Sequence, residues 1–124
     1  MKDPTNPVCR TISTLLSRIG DKWTVLVVMT LADGPRRFNE LRREIPSVSQ
    51  RMLTLTLRHL ERDGLVTRTV TASIPPRVDY ELTDLGRSLQ GPIMALSQWA
   101  LDNIGAIHTA HARFDAERDT AQAA

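Results

Sequence analysis

Cysteine is almost absent from this chain: Cys9 is the only one in 124 residues. A single thiol excludes an internal disulfide framework and a zinc finger built on cysteines, and it fits a reducing compartment. Long hydrophobic runs are missing too. The apolar run Val25 to Leu31 falls far below the roughly twenty residues needed to cross a bilayer, and no basic start leads into an apolar segment of signal-peptide length. The expected location is therefore the cytoplasm, without membrane contact. There is no phosphate-cradling glycine loop, no Ser-His-Asp set and no pair of catalytic carboxylates. His108 and His111 lack the cysteine or carboxylate cluster that would complete a metal site. No catalytic residue, metal or cofactor is expected, and the chain reads as a non-enzyme. It has no internal repeat, and its length suits one compact domain.

Charge, by contrast, is concentrated. The formal net charge is only +2, but residues 36 to 77 hold nine arginines against Glu40, Glu44, Glu61 and Asp63, a local net of +5, while the remainder nets −3. Clustered arginines displace condensed counterions from phosphates, so this segment points to a polyanionic partner.

Periodicity divides the chain into elements. Residues 1 to 7, with two prolines, read as a loose arm. A first helix from near Val8 to Gly20 carries Val8, Ile12, Leu15, Leu16 and Ile19 at helical spacing. Asp21 caps a second helix, Lys22 to about Ala32, in which Trp23, Leu26, Val27, Thr30 and Leu31 suggest burial; Asp33-Gly34-Pro35 stops it. Arg36 to Phe38 suit a short edge strand, and Asn39 is the expected cap of a short helix to Glu44 that ends before Pro46. The next helix, Ser49 to Asp63, sets Leu53, Leu57 and Leu60 on one face and Arg51, Thr54, Arg58 and Arg62 around the other, with Gly64 as its terminator. Alternating strands Val66 to Thr71 and Val78 to Leu82 flank a loop, Ala72 to Arg77, stiffened by Pro75 and Pro76. Thr83 caps a long helix, Asp84 to Ile107, which Gly91-Pro92 should bend or break. Its stripe of Leu85, Leu89, Ile93, Leu96, Ala100, Ile104 and Ile107 is wide enough to need two partners. One is assigned to a second subunit, with the first helix alongside. Residues 108 to 124 read as a polar tail, frayed or disordered.

Helix, tight turn, helix, then two strands joined by a loop is the pattern of a winged helix-turn-helix, a mostly α fold with a small β wing. This winged helix-turn-helix domain is expected to span residues 8 to 107, with its nucleic-acid-binding core at 20 to 90.

Two stretches carry a family resemblance: IGDKWTVLVVMTLADGPRRFNELRREIPSVSQRMLTLTLRHLERDGLVTRTV (Ile19 to Val70) and PPRVDYELTDLGRSL (Pro75 to Leu89), together roughly half the chain. They resemble the HxlR-type transcriptional regulators, dimeric winged-helix proteins related in fold to the MarR-type regulators. The resemblance implies a sequence-specific DNA-binding homodimer, joined through its first and last helices, that represses or activates a nearby gene. Relatives commonly have an aromatic residue and a proline before the double proline; this chain has Thr71-Ala72-Ser73-Ile74. Some relatives sense oxidants or electrophiles with a cysteine near the start of the first helix. Here that position is Cys9, beside Arg10 at a helix N-terminus, and the competing reading is a small buried hydrophobe.

The site residues follow from geometry. Gln50 and Arg51 occupy the first turn of the reading helix, where Arg suits guanine O6/N7 and Gln suits adenine N6/N7. Thr54 suits a thymine methyl, Arg58 a phosphate, and Ser49 combines a cap with a phosphate contact. Arg37 and Arg77 are backbone candidates, and Asn39 belongs to the same surface. Ile12, Leu96, Trp99, Ala100 and Ile104 are the expected dimer contacts. A small-molecule or electrophile effector remains open. The alternative is a winged-helix module that contacts another protein through Met52, Leu55 and His59.

Overall fold

The computed structural model describes residues 5–123. The chain divides into two compact units, one ending at Gln90 and the other starting at Gly91. In the first, helix α1 (Pro7–Ile19) starts where the Asn6 side chain accepts hydrogen bonds from the backbone N–H groups of Val8 and Cys9, at 2.8 and 3.4 Å. Helix α2 (Lys22–Leu31) starts the same way on Asp21. Such caps satisfy N–H groups that have no partner inside a helix. Residues 1–4 of the arm expected at 1 to 7 lie outside the described residues, and Pro7 already belongs to α1.

Helix α2 is the central element, packed on α4, α3, α1 and strand β3. Thr24, Val27, Val28 and Leu31 are its buried residues. Leu26, expected inside, is 41% exposed. The correction reflects how neighbours surround α2: the buried set repeats at three or four residues, and Leu26 falls off that stripe.

Strand β1 (Arg36–Arg37), helix α3 (Phe38–Glu44), helix α4 (Gln50–Arg62), strands β2 (Val66–Thr71) and β3 (Arg77–Leu82), and helix α5 (Asp84–Ser88) complete this unit. The strands form an antiparallel sheet ordered β1-β3-β2. Its register pairs Val66 with Leu82, and both are about 2% exposed. The core joins them to Leu41, Ile45, Val48, Leu53, Leu57, Leu60 and the buried residues of α2. The expected apolar face of the reading helix is therefore the observed one. Its end is made by Gly64, whose φ of 77° lets the Leu65 N–H reach back to the Leu60 carbonyl at 2.9 Å. This left-handed turn is the usual helix stop at glycine.

Two expectations about the C-terminal third change. The interruption falls at Leu89, not at Gly91-Pro92: α5 ends at Ser88 and α6 (Gln90–Ala123) begins at once. Pro92 then sits in the first turn of α6, where its missing N–H costs no hydrogen bond within that helix. Leu85 thus belongs to α5 and does not extend the α6 stripe. Residues 108–123, read as a polar tail, continue α6 as helix. The segment holds five alanines and two arginines, which favour helix wherever their side chains point, and it contains no proline.

Candidate nucleic-acid interface

The two helices of the reading motif are joined by a turn that folds on its own backbone. The Ile45 N–H reaches the Leu41 carbonyl at 2.9 Å and the Val48 N–H reaches Ile45 at 3.1 Å, while both apolar side chains enter the core. The Ser49 hydroxyl then accepts the Met52 N–H at 3.0 Å and caps α4 as expected. With its inner face fixed by Leu53, Leu57 and Leu60, α4 must turn Gln50, Arg51, Leu55, Arg58 and Arg62 outward. Thr54 is half-buried, and its hydroxyl donates to the Gln50 carbonyl at 2.9 Å. That bond uses the hydroxyl's proton, so Thr54 can offer a partner its methyl group or an accepting oxygen, not a donor.

Asn39 does not cap α3. The cap lies two residues earlier, at Arg37, and the helix begins at Phe38; the Glu40 carboxylate accepts the Arg37 N–H at 2.9 Å. Asn39 is instead an exposed residue of the first turn. A glutamate three residues after the cap closes the helix start through its side chain, which Asn39 could have done only with the helix starting later.

The arginines divide into two groups. Arg36 is held by Glu44 at 2.9 Å, Arg18 by Asp63 at 2.8 Å and Arg77 by Asp79 at 2.9 Å, and Arg87 lies near both Glu81 and Asp84. Among the described residues, Arg37, Arg42, Arg43, Arg51, Arg58, Arg62, Arg68, Arg113 and Arg118 have no acidic partner within ion-pair distance. Seven of these lie between residues 37 and 68, in the reading motif and the strand that follows it. Arg77 opens β3 opposite Thr71. Its Nε contacts both oxygens of Asp79, which fixes the guanidinium in place at the foot of the wing loop.

A cleft of about 560 Å³ runs along α4 between that helix and the sheet, lined by Gln50, Thr54, Arg58, Glu61, Arg68 and Tyr80, with Phe38 and Leu57 at its floor. Arg68 was not singled out from sequence, although strand alternation held the signal. Val66 faces the core, so a residue two positions on shares its side of the sheet.

Cys9 is buried in the first turn of α1. Ile12 on the same helix is half-buried, whereas Leu96, Trp99, Ala100 and Ile104 on α6 are all exposed. His108 and His111 have ring centroids 6.4 Å apart. Among the described residues no group of three or more His, Cys, Asp or Glu is placed to hold a metal ion, and no helix is long and apolar enough to cross a membrane.

Comparison with known proteins agrees with this geometry. The HxlR-like helix-turn-helix family model matches residues 18–108. An uncharacterised HTH-type transcriptional regulator of Bacillus subtilis (strain 168), YdeP, is 47% identical over 88 residues, which cover 71% of this chain and 69% of the relative. Among solved structures, the redox regulator HypR in its reduced form aligns with a TM-score of 0.73 and 41% identity, over 80% of this chain and 98% of that one. The reduced form of the transcriptional regulator YodB from B. subtilis aligns with a TM-score of 0.66 and 37% identity, over 73% and 88%.

Proposed function

Because the chain belongs to the HxlR-like helix-turn-helix family and is a transcriptional regulator of the HxlR/MarR type, we propose that it works as a homodimer on a near two-fold DNA operator, with α4 of each subunit in a major groove. The observation that carries this reading is the outer face of α4, where Arg51, Arg58 and Arg62 project without acidic partners. Arg51 and Gln50, in the first turn, read base edges. Thr54 meets a thymine methyl, Ser49 and Arg58 hold phosphates, and Asn39, Arg37 and Arg77 support the flanking backbone. The Arg77 contribution is the smaller, since Asp79 already offsets part of its charge. This work takes place in the cytoplasm, on the nucleoid. Leu96, Trp99, Ala100 and Ile104, with Ile12 of α1, supply the dimer contact.

The test is selection of bound sites from random duplex DNA, followed by titration of the selected site at several salt concentrations. A near two-fold site is expected, with affinity falling steeply as salt rises, because each phosphate contact releases a condensed counterion. Recovery of no sequence, or salt-insensitive binding, refutes the reading and favours a protein-contact module using Met52, Leu55 and His59.

The similarity to a redox regulator extends the proposal to Cys9, which lies in the first turn of a helix assigned to the dimer contact. Oxidation of two such thiols to an inter-subunit disulfide, with two electrons passing to the oxidant and two protons released, would alter the spacing of the two reading helices. An oxidant should weaken operator binding by the wild-type protein and not by Cys9→Ser. An equal response in both proteins leaves Cys9 as packing.

A further inference from the structure

Period-two alternation on β2 places Val66, Arg68 and Val70 on one face of the sheet, and the register sets Arg68 directly across from Tyr80, which in turn faces Arg36 on β1. Val66 is sealed in the core, while Arg68 stands further along the strand, where the sheet diverges from α4 and the cleft opens. Arg58 projects into the same cleft from the helix side. Arg36, the third residue of the cross-strand row, is held by Glu44, but Arg58 and Arg68 have no acidic partner within ion-pair distance among the described residues. Nor does the Tyr80 hydroxyl make a hydrogen bond among them. The one carboxylate on the cleft is Glu61, one turn beyond Arg58. Two unpaired cations facing one another across a cleft repel unless an anion lies between them.

DNA supplies such an anion at this place. A helix in a major groove is bordered on each side by a sugar–phosphate strand, so a β hairpin standing beside that helix must meet the strand between them. We propose that Arg68 and Arg58 clamp this backbone strand between the wing stem and α4, with Arg68 as the phosphate ligand on the wing side and Tyr80 as a second donor. The inference rests on the DNA-binding reading and deepens it. It gives the wing stem a contact that does not depend on the loop at 72–76.

The experiment follows fluorescence anisotropy of the selected duplex and of a scrambled duplex at several salt concentrations, for the full chain and for Arg68→Gln, Arg68→Lys and Glu61→Gln. Arg68→Gln should lose about a hundredfold in affinity on both duplexes, roughly tenfold for each of the two charge-assisted contacts a dimer gives up. It should lower the salt slope by roughly two for a dimer, about 0.9 for each phosphate given up. Arg68→Lys should restore most of that slope, and Glu61→Gln should bind more tightly than wild type. Unchanged affinity and slope in Arg68→Gln overturn the clamp, as does a loss confined to the selected duplex, which would make Arg68 a base-reading residue. Ethylation interference on the wild-type protein reads the same contact without a substitution, whether or not a variant folds. Sensitive phosphates are expected on the strand flanking each α4 site, and none there refutes the proposal. If wild type binds no duplex, the DNA-binding reading fails and the clamp with it. If wild type binds and Arg68→Gln matches it, the clamp alone fails.

Discussion

Arg51 and Arg77 carry the same guanidinium into different surroundings. Arg51 leaves the first turn of α4 beside Gln50, exposed and without an acidic partner, so its fork is available for a guanine edge. Arg77 begins a strand with its Nε engaged by Asp79. Arg51→Ala should therefore cost on the order of 1–3 kcal/mol at the selected site and relax preference at one base position. Arg77→Ala should weaken all sequences evenly and by less. The comparison is binding to the selected site and to a set of single-base variants; equal losses across that set for Arg51→Ala would make it a phosphate contact. Sequence spacing was enough to nominate both residues. It could not show that Asp79 engages Arg77, because the sequence reading left Arg77 in the loop, and only its place in β3 sets it on the same strand face as Asp79.

The joint between the reading helix and the following elements is made by the cap residue Thr83. Thr83 donates its hydroxyl to the Gly64 carbonyl at 2.6 Å and accepts the Gly86 N–H at 3.0 Å, so α5 begins against the turn that ends α4. A Cβ at Gly86 would collide with the Leu65 backbone carbonyl, and backbone cannot move aside as a flexible side chain can. Gly86→Ala should destabilise the fold by at least the ~1–3 kcal/mol typical of an overpacked core, measured by urea unfolding. Gly86→Ala matching wild type would show that α5 shifts freely. The role of Thr83 as a cap was legible in sequence, since a threonine before an acidic helix start is a local signal. The close approach at Gly86 was not, because it depends on a carbonyl twenty-one residues earlier in the chain.

For the whole molecule, the decisive question is what covers α6. Leu96, Trp99, Leu101 and Ile104 are between 50% and 68% exposed, more apolar surface than a solvated helix normally presents. In the proposed dimer a second copy removes this surface from water. Leu96→Asp should place an unpaired charge in that contact and either dissociate the dimer or unfold the chain. Light scattering with circular dichroism separates the two outcomes, and operator binding should fall in both. Wild-type protein that stays monomeric at micromolar concentration would remove the basis for a two-fold operator.

The order of the elements, the inner face of α4, and the caps at Asp21, Ser49 and Thr83 were legible in the chain itself, because each is a local matter of periodicity and of side chains meeting N–H groups two or three residues away. The buried face of α2 was legible only in part, since Leu26 lies off it. The concentration of arginine around the reading motif was equally plain. What only the tertiary structure decided was how that charge is shared: Arg18 with Asp63 across forty-five residues, Arg36 with Glu44 across a strand and helix, and Arg58 and Arg68 left unpaired on either side of one cleft. Such pairings depend on strand register and on the docking of α4 against the sheet. Composition is indifferent to both, since a guanidinium is neutralised only by the carboxylate that folding brings within a few ångströms of it.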